Sequence, residues 1–222
     1  MGHRLAPAPR NPQAPPRPPC QGCLRAQSYQ ALSADEVAVR FAELVGPRFA
    51  QARLKDLTEN LQREAAGLMS DKGLMLYGQP GRGKTHAMAA MAFDYFVAGF
   101  SIKYMTFEWF ALQVRDVFRP NSGLSEAMMI QPLCDADVLF LDDVGTTVSS
   151  EGQETDFSLR LLLVVLDTRI KNCLPTYITA NKTVEQLRDT FDDRIASRLL
   201  EACTVVKLTG EDRRQKNNQV SP

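Results

Sequence analysis

Short apolar runs alternate along this chain with longer segments whose apolar positions recur at helical spacing. The helical pattern opens over residues 34–45, led by Asp35 and Glu36 and stopped by Gly46-Pro47. A second helical segment over about 57–69 leads into Leu74-Met75-Leu76-Tyr77, which is short enough for a buried strand. Helix is predicted over 84–97, ended by Gly99, then a strand over 102–107 and a helix over 108–118 that breaks at Pro120-Asn121-Ser122-Gly123. After a further short helical piece, Val138-Leu139-Phe140-Leu141 reads as a buried strand with Asp142 and Asp143 at its exit. A Gly/Thr/Ser-rich loop to Gly152 precedes a long helix over about 155–171. A strand over 175–179, helices over 183–190 and 192–201, and a last strand over 205–208 complete the pattern. Strands alternating with helices predict an α/β fold: a parallel sheet covered on both faces, its ligand crevice at the carboxyl ends of the strands.

Between the first strand and the helix at 84 the chain reads Gly78-Gln79-Pro80-Gly81-Arg82-Gly83-Lys84-Thr85-His86. This is G-x-x-x-x-G-K-T in a strand-loop-helix setting, the form of a phosphate-binding P-loop. Its glycines let backbone N–H groups turn inward on a polyphosphate, Lys84 reaches the β/γ-phosphates, and Thr85 is placed to ligate Mg²⁺. The plain alternative is a glycine-rich turn with a chance Lys-Thr. Asp142, at a strand end beside such a loop, can hold the metal, and Asp143 can orient or deprotonate an attacking water. Solubilising turn residues are the competing reading of that acidic pair. Asp is shorter than the Glu often found at the second position, so hydrolysis is expected to be slow or to depend on assembly. Asn181, at the exit of the strand over 175–179, can bridge a γ-phosphate and the lytic water, or simply favour the turn. Arg194 and Arg198 lie at i and i+4, so they share one helix face. Spacing leaves open whether they pair with Asp193, Glu201 or nearby acids or serve a neighbouring subunit's nucleotide.

Composition narrows the setting. The chain's 222 residues are 44% hydrophobic, enough for one α/β domain with a real core plus short appendages. Lys+Arg and Asp+Glu balance at 26 each, so no global field draws the chain to nucleic acid, although local patches still can. No stretch reaches the roughly 18 unbroken apolar residues of a membrane span, and no signal-peptide core is present, so a cytoplasmic protein is expected. The first thirty residues are Pro-rich, with Arg4, Arg10, Arg17 and Arg25 and no acid before Asp35, predicting an extended arm that is either a solvated tail or a grip for an anionic partner. Cys20 and Cys23 have the spacing of half a zinc site, but only His3 and His86 supply histidines and no second C-x-x-C exists, so the site is incomplete. Cys134, Cys173 and Cys203 read as reduced thiols in apolar surroundings.

Taken in order, Gly78 to Thr85, Val138 to Asp143, Thr179 to Asn181 and Arg194 to Leu199 match Walker A, Walker B, sensor 1 and arginine finger. The chain resembles an AAA+ ATPase of the DnaC/DnaI helicase-loader and IstB-like ATP-binding group over roughly 45–214. Val45-Gly46-Pro47-Arg48-Phe49 and Leu208-Thr209-Gly210-Glu211-Asp212-Arg213 also match that group's habits. The resemblance implies an AAA+ (ASCE P-loop) three-layer sandwich with a central parallel sheet, a short N-terminal extension and a reduced or absent C-terminal lid. The fourteen residues after Leu208 are too few for a helical lid and its arginine, although Arg213 or Arg214 can approach a nucleotide. Expected boundaries are a flexible arm over 1–30, a helical linker or partner-binding segment over 31–56, the ATPase domain over 57–210 and a disordered tail over 211–222.

The resemblance further implies ATP and Mg²⁺ as cofactors, with Arg198 as the trans-acting finger and Arg194 beside it. It also implies self-association into a ring or spiral around single-stranded DNA. A replicative DNA helicase is the implied partner, a transposase the alternative, and an ATP-binding switch with negligible turnover a third reading. Lys103, Arg115 and Arg119 are the candidates for DNA phosphate contact, and Phe107 or Trp109 for base stacking, each with a core or solvated role as the competing reading.

Overall fold

The computed structural model describes residues 33–65, 72–117, 123, 125–145, 152–191 and 193–209. The Pro/Arg arm with Cys20 and Cys23, Arg119, Arg213, Arg214 and the tail over 211–222 lie outside those residues. Helix α1 (Ala34–Val45) starts where Ser33 and Glu36 cap each other: the Ser33 hydroxyl accepts from the Glu36 N–H at 3.3 Å and the Glu36 carboxylate from the Ser33 N–H at 2.9 Å. Short 3₁₀ turns at Pro47–Phe49 and Leu54–Asp56 lead to α2 (Glu59–Ala65). There follow β1 (Gly73–Tyr77), α3 (Lys84–Val97), β2 (Ile102–Thr106), α4 (Phe107–Val117), α5 (Glu126–Asp135), β3 (Val138–Val144), α6 (Gly152–Lys171), β4 (Thr176–Ala180), α7 (Val184–Thr190), α8 (Asp193–Ala202) and β5 (Cys203–Lys207).

The strands pair in parallel in the order β2-β3-β4-β1-β5. Alternation along each strand sends its residues to two separate cores. Leu74, Leu76, Phe140 and Tyr177 pack under α1 and α3 with Phe41, Met88 and Met91. Met75, Leu139, Leu141 and Ile178 pack on the other face with Leu162, Leu166 and Leu199. Three layers result, as expected. Residues 34–56 pack on α3: Phe41 meets Phe93 edge-on at 5.1 Å, and the Arg53 guanidinium lies 3.5 Å from the centre of the same Phe93 ring.

Arg169 is buried, although an arginine near the end of a helix ordinarily stays wet. Its Nη1 donates to the carbonyls of Leu133 and Ala136 at 2.7 Å, its Nη2 to Pro175 O at 2.8 Å, and its Nε to Thr176 Oγ1 at 2.9 Å. One guanidinium thus ties the end of α6 to the end of α5 and the start of β4. Burial pushes its pKa down to about 10, which still leaves it charged at neutral pH.

On the α3 face, Tyr104, Phe140 and Tyr177 from three neighbouring strands stack in register, at 5.8 and 4.9 Å between centroids. The Tyr177 hydroxyl lies 2.9 Å from that of Tyr95, whereas the buried Tyr104 hydroxyl finds no partner among the described residues. Leaving a buried hydroxyl unmade costs about 1–3 kcal/mol. Tyr104→Phe is therefore expected to raise the unfolding free energy of the nucleotide-free protein by about 1 kcal/mol, read from urea denaturation. A destabilised variant would show that the hydroxyl has a partner after all.

Candidate nucleotide site

Gly78 leaves β1 with its N–H donating to Ala180 O at 3.3 Å and with φ 155°. A Cβ there would stand 2.5 Å from the carbonyl oxygen of Leu208, so the loop base is wedged against the exit of β5 and only glycine fits. Gly83, at φ 85°, turns the chain into α3. That turn drives Lys84 inward, where it is 6% exposed, and its Nζ donates to Gly78 O at 2.8 Å, Gln79 O at 3.1 Å and Asn181 Oδ1 at 2.5 Å.

Two consecutive carboxylates on a regular strand would face opposite sides of the sheet. Here the register between β3 and β4 slips by one residue between Leu141 and Val144, and Asp143 takes φ 57°. The bulge re-aims both acids at the end of β4. Asp142 Oδ1 accepts from the hydroxyls of Thr85, at 3.2 Å, and Thr179. The Thr179 hydroxyl also accepts from the Asp143 N–H at 2.9 Å, and Asn181 Nδ2 donates to Asp143 Oδ1 at 3.3 Å. Lys84, Asn181, Asp143, Thr179, Asp142 and Thr85 therefore form one connected network. Because β4 sits between β1 and β3, Thr179 and Asn181 stand between the P-loop and the acids.

A cleft of about 610 Å³ opens over this network, lined by Arg48, Phe49, Pro80, Gly81, Gly83, Lys84, Thr85, His86, Asp143 and Asn181. Most of the expected site residues meet here. Gln79 and Arg82 instead line a second cavity with Lys207 and Thr183, which Gly78 and Asn181 also border. Neither Arg194 nor Arg198 lines either cavity. Arg198 is held on the surface by Asp167 of α6, at 2.5 Å from its Nε, and by Glu201, at 2.6 Å from its Nη1. The in-chain pairing that spacing left open is thus made for Arg198, whereas Asp193 pairs with Arg188 at 2.9 Å. Phe107 is 1% exposed, packed at 5.9 Å from Phe110 and 5.8 Å from Phe191, so it cannot stack on a base; Trp109 is 55% exposed and can. No local pattern marks Thr179 as a link, and Arg48 and Phe49 stand out only through resemblance.

Burial raises the pKa of Asp142 above the ordinary carboxylate range; the Thr179 and Thr85 hydroxyls partly offset this, and the charge of Asp143 adds to it. A carboxyl whose folded pKa is raised contributes most below its unfolded value of 3.8 and loses that contribution as pH rises through the folded pKa. At pH 7 the ionised Asp142 is therefore a cost to the nucleotide-free fold. Asp142→Asn keeps an acceptor for both threonines and removes that charge. It is expected to raise the unfolding midpoint at pH 7, with the gain shrinking as pH falls toward 4. A midpoint lowered at pH 7 would contradict the burial argument.

A P-loop, an acidic pair at the β3 bulge and an asparagine at the exit of β4, joined in one network at the carboxyl ends of a β2-β3-β4-β1-β5 sheet, are the architecture of an AAA+ domain. The family model described as IstB-like ATP binding protein matches residues 49–221. The chain belongs to that family. The replicative helicase loader DnaC of Escherichia coli is 27% identical over 122 residues, 55% of this chain and 47% of DnaC. The chain thus spans about half the length of the curated relatives it matches. The solved DnaC helicase loader superposes with a TM-score of 0.60 at 19% identity, covering 73% of this chain and 99% of that one. AMPPCP-bound DnaA from Aquifex aeolicus gives 0.60 at 19% identity, covering 75% and 53%. These neighbours show the α/β AAA+ fold, and the family supports nucleotide binding at the P-loop. No described helix is long and apolar enough to cross a membrane.

Proposed function

We infer that this member of the IstB-like family is an ATPase that loads a replicative helicase during DNA replication, working as an oligomer on single-stranded DNA. The observation that carries the enzymatic part is the unbroken network from Lys84 to Thr85 through Asn181, Asp143, Thr179 and Asp142. It presents one cation for phosphate, one buried acid and one acid steered by an amide. Asp142 pairs with hydroxyls and with no lysine or arginine among the described residues, so a divalent cation fits its uncompensated charge. Thr85 and Asp142 would hold Mg²⁺, which when bound neutralises charge on the β- and γ-phosphates. The P-loop amides and Lys84 orient the polyphosphate, and Arg48 and Phe49 border the end of the cleft left for ribose and base. Asn181 fixes the Asp143 carboxylate where it takes a proton from water. That water's oxygen attacks the γ-phosphorus as the bond to the bridging oxygen breaks.

The loader role rests on likeness to DnaC, whose name states it. The matched family is IstB-like, which favours a transposition helper as the second reading. Pull-down with a replicative helicase against a transposase separates the two, and an undetectable ATPase rate with and without single-stranded DNA would leave an ATP-binding switch.

Arg198 is the finger in this reading, leaving Asp167 and Glu201 to reach a neighbour's γ-phosphate. Solvent screens exposed ion pairs, so the exchange is cheap. Arg198→Ala is expected to keep nucleotide affinity within about threefold and to lower turnover by about 10³-fold. Mixed with Asp143→Ala subunits, which lack the base but keep the finger, it should regain part of its activity. Mixtures that never exceed the sum of their parts would remove the trans contact.

A further inference from the structure

The second cavity, of about 350 Å³, takes Gln79 and Arg82 from the P-loop, Asn181 and Thr183 from the exit of β4, and Lys207 and Thr209 from the exit of β5. Its lining carries two cations and no carboxylate, and among the described residues neither Arg82 nor Lys207 makes an ion pair. The β1–β5 register sets Lys207 beside Tyr77, the last residue before the P-loop, so its charge emerges at the loop's base while Arg82 enters from further along the loop. The wedge of Gly78 against Leu208 fixes the spacing of those two elements. A volume near the lower bound of ligand pockets, about 300 Å³, suits a small anion better than a nucleotide. A guanidinium offers a planar fork to phosphate oxygens, and an ammonium offers a point charge.

We propose that this cavity is a second anion site, one that takes a phosphate group, separate from the nucleotide cleft and joined to it through Asn181. The joint is direct: Asn181 borders both cavities while it accepts from Lys84 and donates to Asp143. An anion held there braces the P-loop against β5 and touches the residue that aligns the acid. Anion binding there requires neither hydrolysis nor DNA.

The test titrates inorganic phosphate, at fixed ionic strength, into the full chain saturated with a non-hydrolysable ATP analogue and Mg²⁺, and follows the heat. One saturable phosphate site per chain is expected, weakened at least tenfold in Lys207→Gln and retained in Lys207→Arg. The same titration with phenyl phosphate tells the two sources apart: equal binding means a phosphoryl ester is accepted, and binding of inorganic phosphate alone means a free anion. No saturable phosphate binding to the loaded protein, or unchanged affinity in Lys207→Gln, overturns the site. If the analogue itself fails to bind, the nucleotide reading fails separately. The Lys207→Gln comparison in nucleotide-free protein then still decides the second site.

Discussion

Lys84→Ala is expected to weaken ATP binding by roughly 10²–10⁴-fold. A hydrogen bond to a charged group contributes about 1.5–3 kcal/mol, Lys84 is placed to make two with the β- and γ-phosphates, and each 1.4 kcal/mol is tenfold. The ammonium now rests on Gly78 O, Gln79 O and Asn181 Oδ1. A polyphosphate offers it charged acceptors in place of neutral ones, so the exchange favours the ligand. Removing the side chain also frees Asn181 from one of its two partners, and part of the loss will come from a looser amide at Asp143. Titration with a fluorescent ATP analogue measures the effect, and the urea midpoint confirms that the variant is folded. Affinity within threefold of wild type would mean that the loop is not the phosphate site.

Arg169→Met should cost several kcal/mol of folding stability, because each buried acceptor left unmade costs about 1–3 kcal/mol. The substitution keeps an unbranched apolar stem but strips the donors from the carbonyls of Leu133, Ala136 and Pro175 and from Thr176 Oγ1. Pro175 O also accepts from the Leu139 N–H at 3.3 Å, but the carbonyls of Leu133 and Ala136 stand where α5 ends and lose the guanidinium. Two of them are at the negative end of α5, where a cation is favoured. Arg169→Lys should recover only part of the loss, because one ammonium with three donors cannot span the carbonyls that the planar fork reaches. Urea denaturation of both variants checks the ordering. A loss below about 1 kcal/mol in Arg169→Met would show that water takes over the exposed acceptors.

Much of the nucleotide site was legible in the sequence because its parts are local. Gly78 to Thr85 needs only a strand before it and a helix after it, and apolar periodicity supplies both. The same logic placed Asp142 and Asp143 at a strand exit and Asn181 at another. Arg82 marks the limit of that reading: the motif assigns its backbone to the loop without recording that the residue also lines a second cavity with Lys207. For Phe107 the sequence left base stacking and a core role open, since helical spacing marks an apolar face without saying how deeply each member is buried; the structure puts it in the core.

The sequence by itself determined that strands and helices alternate, where a phosphate-gripping loop lies between them, and which acids and amide stand at strand ends. Those are properties of short segments, set by periodicity, propensity and the conformations that glycine permits. The tertiary structure alone decided that β4 lies between β1 and β3, that a bulge turns Asp142 and Asp143 to the same side, and that Thr179 links them. It alone made Arg169 a buried clamp and gave the P-loop two cavities. Pairing between strands far apart in the chain is chosen by the packing of both faces at once, and no local pattern records that choice.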